Sequence, residues 1–542
     1  MVKNKYTLQL LLLCLTAFAH ANTAKYIVYF KDKPKDTKVE QLFSAKAIEK
    51  RKQKHIAFDE RDYPINTTYI EQIKNKQAVI VNQSNWLNAA LITIDEKKIA
   101  AIKKMDFVAS VTKVEKTEHG GILSTQHNNE CEETNDVLDF EDNYTSSFAQ
   151  FHLLNGEYLH EQGFNGENMT IAICDAGFQN ANINTGFSAV FTENRVLGVY
   201  DYVHNDSTVF TASDDSHGAN CFSFIAGLKA NQYIGTASKS KFYLFQTENN
   251  DGGSERLQEE FNLATALERC DQLGVDVVSI SLGYTTFDVA SENHDTSDMK
   301  KNITPAAKAV NTASSKGMLV CVAAGNLGSS IWKYLSTPAD ADSAFAVAAV
   351  NVNGVPASFS SFGLATDTRV KPNVAAVGQS TNFINTSGGV SSGNGTSYAC
   401  PSLAGMATCL WQAFPSKTNW EIKTAIEQSA SQYLTPDKKI GYGIPDFKKA
   451  YEILSLASFV DDHKLEKEFS VYPNPFQSVV NINNTGSSRV QKVQLTNNLG
   501  QIVYSDNTLA ENTIALNELP KGMYVLQIST SNGLLVKKML KN

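Results

Sequence analysis

The apolar positions of this 542-residue chain change rhythm three times. The first run, Leu8–Phe18, is nearly continuous, follows Lys3 and Lys5, and is closed by Ala19-His20-Ala21. A basic start, an apolar stretch and a small-x-small site predict a removable signal peptide over residues 1–21. Residues 22–117 then mix strand and helix periods. Tyr26–Phe30, Ala78–Asn82, Leu87–Ile94 and Val108–Val114 read as strands, Thr37–Glu60 and Glu96–Met105 as helical. The order β-α-β-β-α-β is the split βαβ layout of a small α+β unit. Polar residues 118–147 read as a linker. Over 148–456, short apolar runs (Met169–Cys174, Val275–Ser281, Met318–Ala323, Ala344–Val350) alternate with the helix-like Leu257–Leu273 and Thr304–Lys316. Runs without polar alternation suit strands buried on both faces, so the fold expected is α/β, a parallel sheet flanked by helices. Beyond a second linker, 457–466, six short strands separated by Asn, Gly and Pro turns predict a compact β-sandwich over 467–542. They are Phe469–Tyr472, Val479–Ile482, Val490–Leu495, Gln501–Tyr504, Thr513–Leu516 and Gly522–Ile528.

Composition adds two points. The net charge of −8 is unevenly spread: residues 22–118 carry 19 Lys/Arg against 13 Asp/Glu. With Lys3 and Lys5 also positive, residues 119–542 hold a net −16. Opposite signs on two parts of one chain suit mutual docking, and so acidic a main body excludes nucleic acid as a natural partner. Of the eight cysteines, Cys14 leaves with the signal. The other seven show no tight CxxC spacing, so no zinc site is expected, and an odd number leaves at least one free thiol.

Three motifs carry chemistry. Ile171-Ala-Ile-Cys-Asp175-Ala-Gly177 ends a buried strand in a carboxylate and a glycine turn; His217-Gly-Ala-Asn-Cys opens an apolar helix. Gly395-Thr-Ser397-Tyr-Ala-Cys-Pro401 places a serine at the start of a helix of small residues, with Pro401 expected in the first turn. Each has a plain alternative, since Asp and Ser cap helices and His is often a satisfied polar residue. Together they can perform acyl transfer, because a serine hydroxyl needs a neighbouring imidazole to take its proton, and a carboxylate fixes that imidazole. Strand ends and helix starts of a parallel sheet meet at its C-terminal edge, which would gather the three.

Asp175-Ala-Gly, His217-Gly and Gly-Thr-Ser397-Tyr-Ala-Cys-Pro resemble the three signatures of the subtilisin-like serine peptidases, in the family's order Asp, His, Ser. The resemblance implies a secreted serine endopeptidase with Asp175, His217 and Ser397 as its triad. It implies Asn326 of Val322-Ala-Ala-Gly-Asn326 as the oxyanion donor. It also implies Ser281, Leu282 and Gly283 as the strand that pairs with an extended polypeptide substrate, and Ala323, Ala324 and Gly325 as a wall of the pocket before the cut. No metal or other cofactor is required by this chemistry. Calcium often stabilises relatives, but no loop offers a convincing array of oxygens, and Asp214 and Asp215 read as solvated loop charges. Ala176, Ala219, Tyr398 and Cys400 depart from the usual residues without removing a reacting group, while Cys174 and Cys221 flank the triad and could make it oxidation-sensitive.

Residues 22–117 are similar in layout to inhibitory subtilase pro-domains. Val471-Tyr-Pro-Asn-Pro-Phe476, Asn498-Leu-Gly-Gln-Ile-Val-Tyr504 and Leu519-Pro-Lys-Gly-Met-Tyr524 resemble the C-terminal sorting domain of the Bacteroidota type IX secretion system. That implies contact with this machinery and passage through periplasm and outer membrane to the cell surface or beyond. The alternatives are a pseudo-peptidase that binds peptides without cutting them, and an adhesin whose sandwich does the binding.

Overall fold

The computed structural model describes residues 23–35, 38–114, 144–211, 215–249, 255–497, 502–506, 512–530 and 533–542. The expected signal peptide, most of the first linker, Cys131 and Asp214 lie outside these residues.

The N-terminal unit runs β1 (Thr23–Phe30), α1 (Ala45–Gln53), α2 (Thr67–Lys74), β2 (Val79–Ser84), β3 (Ala89–Asp95), α3 (Ile99–Lys103) and β4 (Val108–Val114). Its antiparallel sheet has the order β2-β3-β1-β4. The single helix expected over Thr37–Glu60 is broken: Ser44 caps α1 by accepting from Ala47 N–H at 3.1 Å, and His55 takes a φ of 54° just beyond its end. Helix α2 was not read from the sequence, although Asn66 caps it and Ile70 and Ile73 bury its one apolar face. Strand β1 shows why the unit needs a partner. Tyr26, Val28 and Phe30 fill its own core, while Ile27 points the other way and joins Trp86, Ala89 and Leu91 in a cluster with the next unit.

That unit holds β5 (Thr170–Asp175), β6 (Val196–Asp201), α4 (His217–Ala226), β7 (Lys241–Gln246), α5 (Leu257–Leu273), β8 (Val277–Ile280), α6 (Pro305–Ser315), β9 (Leu319–Ala323), β10 (Phe345–Val350), β11 (Val374–Val377), α7 (Thr396–Ala413), α8 (Asn419–Ser429) and α9 (Phe447–Glu468). Seven parallel strands in the order β11-β10-β9-β8-β5-β7-β6 form one sheet, the α/β fold expected. Two apolar clusters sandwich it. Helices α4, α7 and α8 supply one, and α5 and α6 the other. Strands β6, β7 and β11 were not read from the sequence.

Residues 457–466, expected as a linker, lie in the C-terminal half of α9. That helix places Leu454 in the core of the parallel-sheet unit and Leu465 in the core of the last unit, which accounts for a helix where a linker was expected. The last unit has strands β12 (Phe469–Tyr472), β13 (Val479–Asn484), β14 (Val490–Asn497), β15 (Ile502–Asp506), β16 (Thr513–Ala515), β17 (Gly522–Thr530) and β18 (Gly533–Lys541). They form sheets β12-β13-β16 and β15-β14-β17-β18 around one shared core. Strand β18, which pairs along all of β17, was not read from the sequence. Among the described residues no helix is long and apolar enough to cross a membrane.

Candidate active site

Register alone brings the strand ends together. Ile280 pairs with Cys174 and Val322 with Ile280, so Asp175, Ser281 and Ala323 sit at one level on the C-terminal edge of the sheet. Helix α4 opens against that edge. His217 Nδ1 lies 2.6 Å from Asp175 Oδ1, and the same oxygen accepts from Ala176 N–H at 2.8 Å. Asp175 is fully buried and His217 is 8% exposed. The approach depends on Gly218, whose Cβ, were there one, would lie 2.3 Å from the Gly177 carbonyl and 2.9 Å from the Asp175 Cβ. Burial opposes a charge on His217, but the Asp175 carboxylate outweighs it and holds the imidazole well above its ordinary pKa. Asp215, read as a solvated charge, accepts from the His217 backbone N–H at 2.6 Å and so steadies the start of α4.

Ser397 lies in the first turn of α7. Pro401 sits past that turn, not within it, and its missing N–H leaves the Ser397 carbonyl without the usual helical donor. Ser281 Oγ donates to that carbonyl at 2.9 Å, and Cys221 Sγ reaches it at 3.4 Å. In return the Ser397 hydroxyl donates to the Ser281 carbonyl at 3.3 Å. Cys221 is also 3.8 and 3.9 Å from the two His217 ring nitrogens, so the serine backbone and the imidazole share one neighbour. Asn326 follows the end of β9. Its Oδ1 accepts from both the N–H and the hydroxyl of Thr396 at 2.9 Å, which caps α7 and turns the amide nitrogen the other way. That nitrogen is 3.7 Å from where a Gly395 Cβ would stand. Gly325, at a φ of 101°, donates to Thr396 Oγ1 at 3.1 Å and completes the seam. Leu282 is half-buried and Gly283 exposed beside it, while Ala323 and Ala324 are buried.

The oxidation reading for Cys174 and Cys221 fails. Both are fully buried, and burial pushes the Cys221 thiol up to about 11, far from a reactive thiolate. The six described cysteines are all free and buried. Tyr398 packs with Cys221, Phe224 and Phe383, giving the departure at that position a packing role. Sequence reading missed Thr396 as the partner of Asn326, although a threonine directly before the serine was the available signal. It also missed Glu248, Glu255 and Glu259, whose ligand atoms lie within 4.8 Å of one another beyond the end of β7. Burial first, then mutual repulsion, pushes Glu259 up to about 8, and burial pushes Glu255 up to about 7.

Residues 166–443 match the model of the subtilase family. The chain belongs to that family. Residues 25–130 match a Bacteroidota peptidase S8 propeptide domain, and residues 470–542 a secretion system C-terminal sorting domain. Thermitase of Thermoactinomyces vulgaris is 30% identical over 269 residues, covering 49% of this subtilase and 82% of thermitase. Subtilisin NAT of Bacillus subtilis subsp. natto is 26% identical over 380 residues, covering 70% and 84%. This subtilase is therefore a secreted serine endopeptidase that carries a propeptide and a type IX sorting domain, exported to the cell surface or beyond.

Proposed function

We propose that Ser397 is the nucleophile of this endopeptidase, His217 its general base and acid, Asp175 the group that orients His217, and Asn326 an oxyanion donor. The 2.6 Å contact between His217 Nδ1 and Asp175 Oδ1 carries this reading, because it leaves Nε2 to serve the hydroxyl. The Ser397 Oγ attacks the substrate carbonyl and its proton passes to Nε2. The tetrahedral oxyanion takes hydrogen bonds from Asn326 Nδ2 and the Ser397 N–H, an amide at a helix N-terminus where negative charge is favoured. His217 then protonates the leaving amine. Water, activated by the same imidazole, hydrolyses the acyl-enzyme.

The polypeptide substrate lies extended along Ser281, Leu282 and Gly283, with Ala323, Ala324 and Gly325 opposite. No metal or other cofactor takes part in these steps. Residues 22–117 act as an intramolecular inhibitor until removed, and residues 467–542 address the chain to the type IX machinery. Ser397→Ala tests the assignment on casein, with variant and wild type both assayed as purified mature protein freed of residues 22–117: the rate should fall by about 10⁵-fold or more. An unchanged rate would discard it.

A further inference from the structure

Lys371, between β10 and β11, is 2% exposed, and among the described residues its ammonium forms no salt bridge. It donates instead to three uncharged oxygens: the carbonyls of Ala341 and Ala344, both at 2.7 Å, and Asn373 Oδ1 at 3.2 Å. The Asn373 amide is held in that orientation, because Oδ1 also accepts from Ala346 N–H and Nδ2 donates to Glu427 Oε1, both at 2.9 Å. A neutral amine has two N–H groups and a lone pair, so three acceptors around Nζ call for the ammonium. Burial pulls the Lys371 pKa well below that of a free lysine, so a charge there needs an anion near it.

Asp340 supplies that anion. It is fully buried, and neither of its carboxylate oxygens has a hydrogen-bond partner among the described residues. Burial pushes its carboxyl up to about 6, which still leaves an anion at neutral pH, and it and Lys371 attract each other. Two main-chain carbonyls, an amide oxygen and an idle carboxylate are the donors that replace the water around a hard cation. Both carbonyls belong to the short loop 336–344, and Arg369 Nη1 holds the Asp340 carbonyl of the same loop at 2.8 Å. The start of that loop is tied to the main sheet: Tyr284 N–H donates to the Thr337 carbonyl at 2.8 Å, and Thr337 N–H returns the bond at 3.1 Å.

We infer that the Ala341 and Ala344 carbonyls, Asn373 Oδ1 and the Asp340 carboxylate form a site for a monovalent cation, that the Lys371 ammonium is the chain's own occupant of it, and that potassium or free ammonium takes its place once the side chain is cut back. Potassium matches an ammonium in charge and nearly in size, and carbonyl oxygens can stand in for its hydration shell. The loop then keeps its shape without drawing an ion from solution. None of this depends on the roles assigned to Asp175, His217 and Ser397.

The test uses the full-length chain carrying Ser397→Ala, which keeps proteolysis out of the melting curve. Melting temperatures are read at neutral pH and one ionic strength in the chlorides of potassium, ammonium, lithium and tetramethylammonium. The parent, its site already filled, should differ by less than about 1 °C among them. Lys371→Ala should melt about 4 °C or more below the parent in lithium or tetramethylammonium chloride, because the Asp340 carboxylate is left buried alone. Potassium and ammonium should return at least about half of that loss, with a saturating dependence on concentration. Lys371→Met, whose unbranched chain still fills the space, should show the loss and no response to potassium. Amide exchange at Tyr284 and Thr337 should be faster in Lys371→Ala and slow again with potassium, while the C-terminal sandwich does not change. The inference is overturned if Lys371→Ala melts with the parent, if the four salts act on it alike, or if Lys371→Met responds to potassium as well. Should Lys371→Ala fold in none of the salts, Asp340→Asn decides. It leaves the ammonium without its anion and should lower the melting temperature by about 2 °C or more, and no loss overturns the site.

Discussion

At the scale of single residues, the balance on His217 governs how activity responds to pH. A general base must be neutral to accept a proton, and the Asp175 anion favours the cation. The imidazole pKa is raised, so the neutral fraction is small in acid and grows as pH rises through that raised value. The acid limb of kcat/KM should therefore lie on the alkaline side of an ordinary histidine. Asp175→Asn removes the anion and lets burial dominate, which moves the limb to lower pH, while the plateau falls by about 10⁴-fold because the tautomer is no longer held. A pH profile of kcat/KM for both enzymes checks this, and an acid limb that stays put would show that another group sets it. Such residues were legible in the sequence because their chemistry demands fixed types: Asp at a strand end, His before Gly, Ser four residues before Pro. What spacing could not convey is which atom does what. That Asn326 uses its oxygen to cap α7, or that Pro401 hands the Ser397 carbonyl to Ser281, depends on side-chain directions that appear only when remote segments meet.

At the scale of elements, the approach of α4 to the end of β5 depends on Gly218. In Gly218→Ala the new methyl would meet the Gly177 carbonyl and the Asp175 side chain, and backbone there cannot yield cheaply. Overpacking of this kind costs about 1–3 kcal/mol, and a helix displaced by even a fraction of its radius spoils the His217 contact. The variant should melt several degrees lower and lose at least about 100-fold in kcat/KM on a peptide anilide. An active variant with a lowered melting temperature would separate packing from catalysis and show that the contact tolerates the shift. Elements were legible where their apolar pattern was long or unbroken. Helix α5 has the ends expected, and β8, β9 and β10 start and stop within two residues of their runs. Strand β6 is half-exposed and interrupted by Gly198, and β11 is the short Val-Ala-Ala-Val, which has no period to read. Strand β18 carries Lys537 and Lys538 in its middle, which hid its apolar positions.

At the scale of the whole molecule, the charge imbalance in the sequence anticipated docking, and the structure supplies the contacts. Lys46 and Lys50 each lie 3.2 Å from Asp276, and Lys54 donates to the carbonyls of Pro415 and Lys417 at 2.7 and 2.6 Å. In the other direction Lys316 pairs with Asp62 at 2.6 Å, and Glu268 accepts from Trp86 N–H at 3.1 Å. At the centre, the Arg51 guanidinium lies 4.6 Å from the Phe43 and Phe58 rings and binds both Asp62 and Asp271. Asp271 is buried in the last turn of α5, where the helix dipole disfavours an anion, so it depends on Arg51. Removing one partner of such a buried pair costs about 3–5 kcal/mol, mostly from the charge left behind. In a full-length precursor also carrying Ser397→Ala, which cannot mature itself, Arg51→Ala should speed amide exchange in α1 and along α5 by about 100-fold or more, with the sandwich unaffected. Adding Asp271→Asn to that precursor should recover a large part of the loss, because the stranded carboxylate is the main cost. Exchange rates that ignore Arg51→Ala would mean that the apolar face of Ile27, Trp86 and Leu91 alone holds the two units together, and the charge imbalance would then serve only solubility.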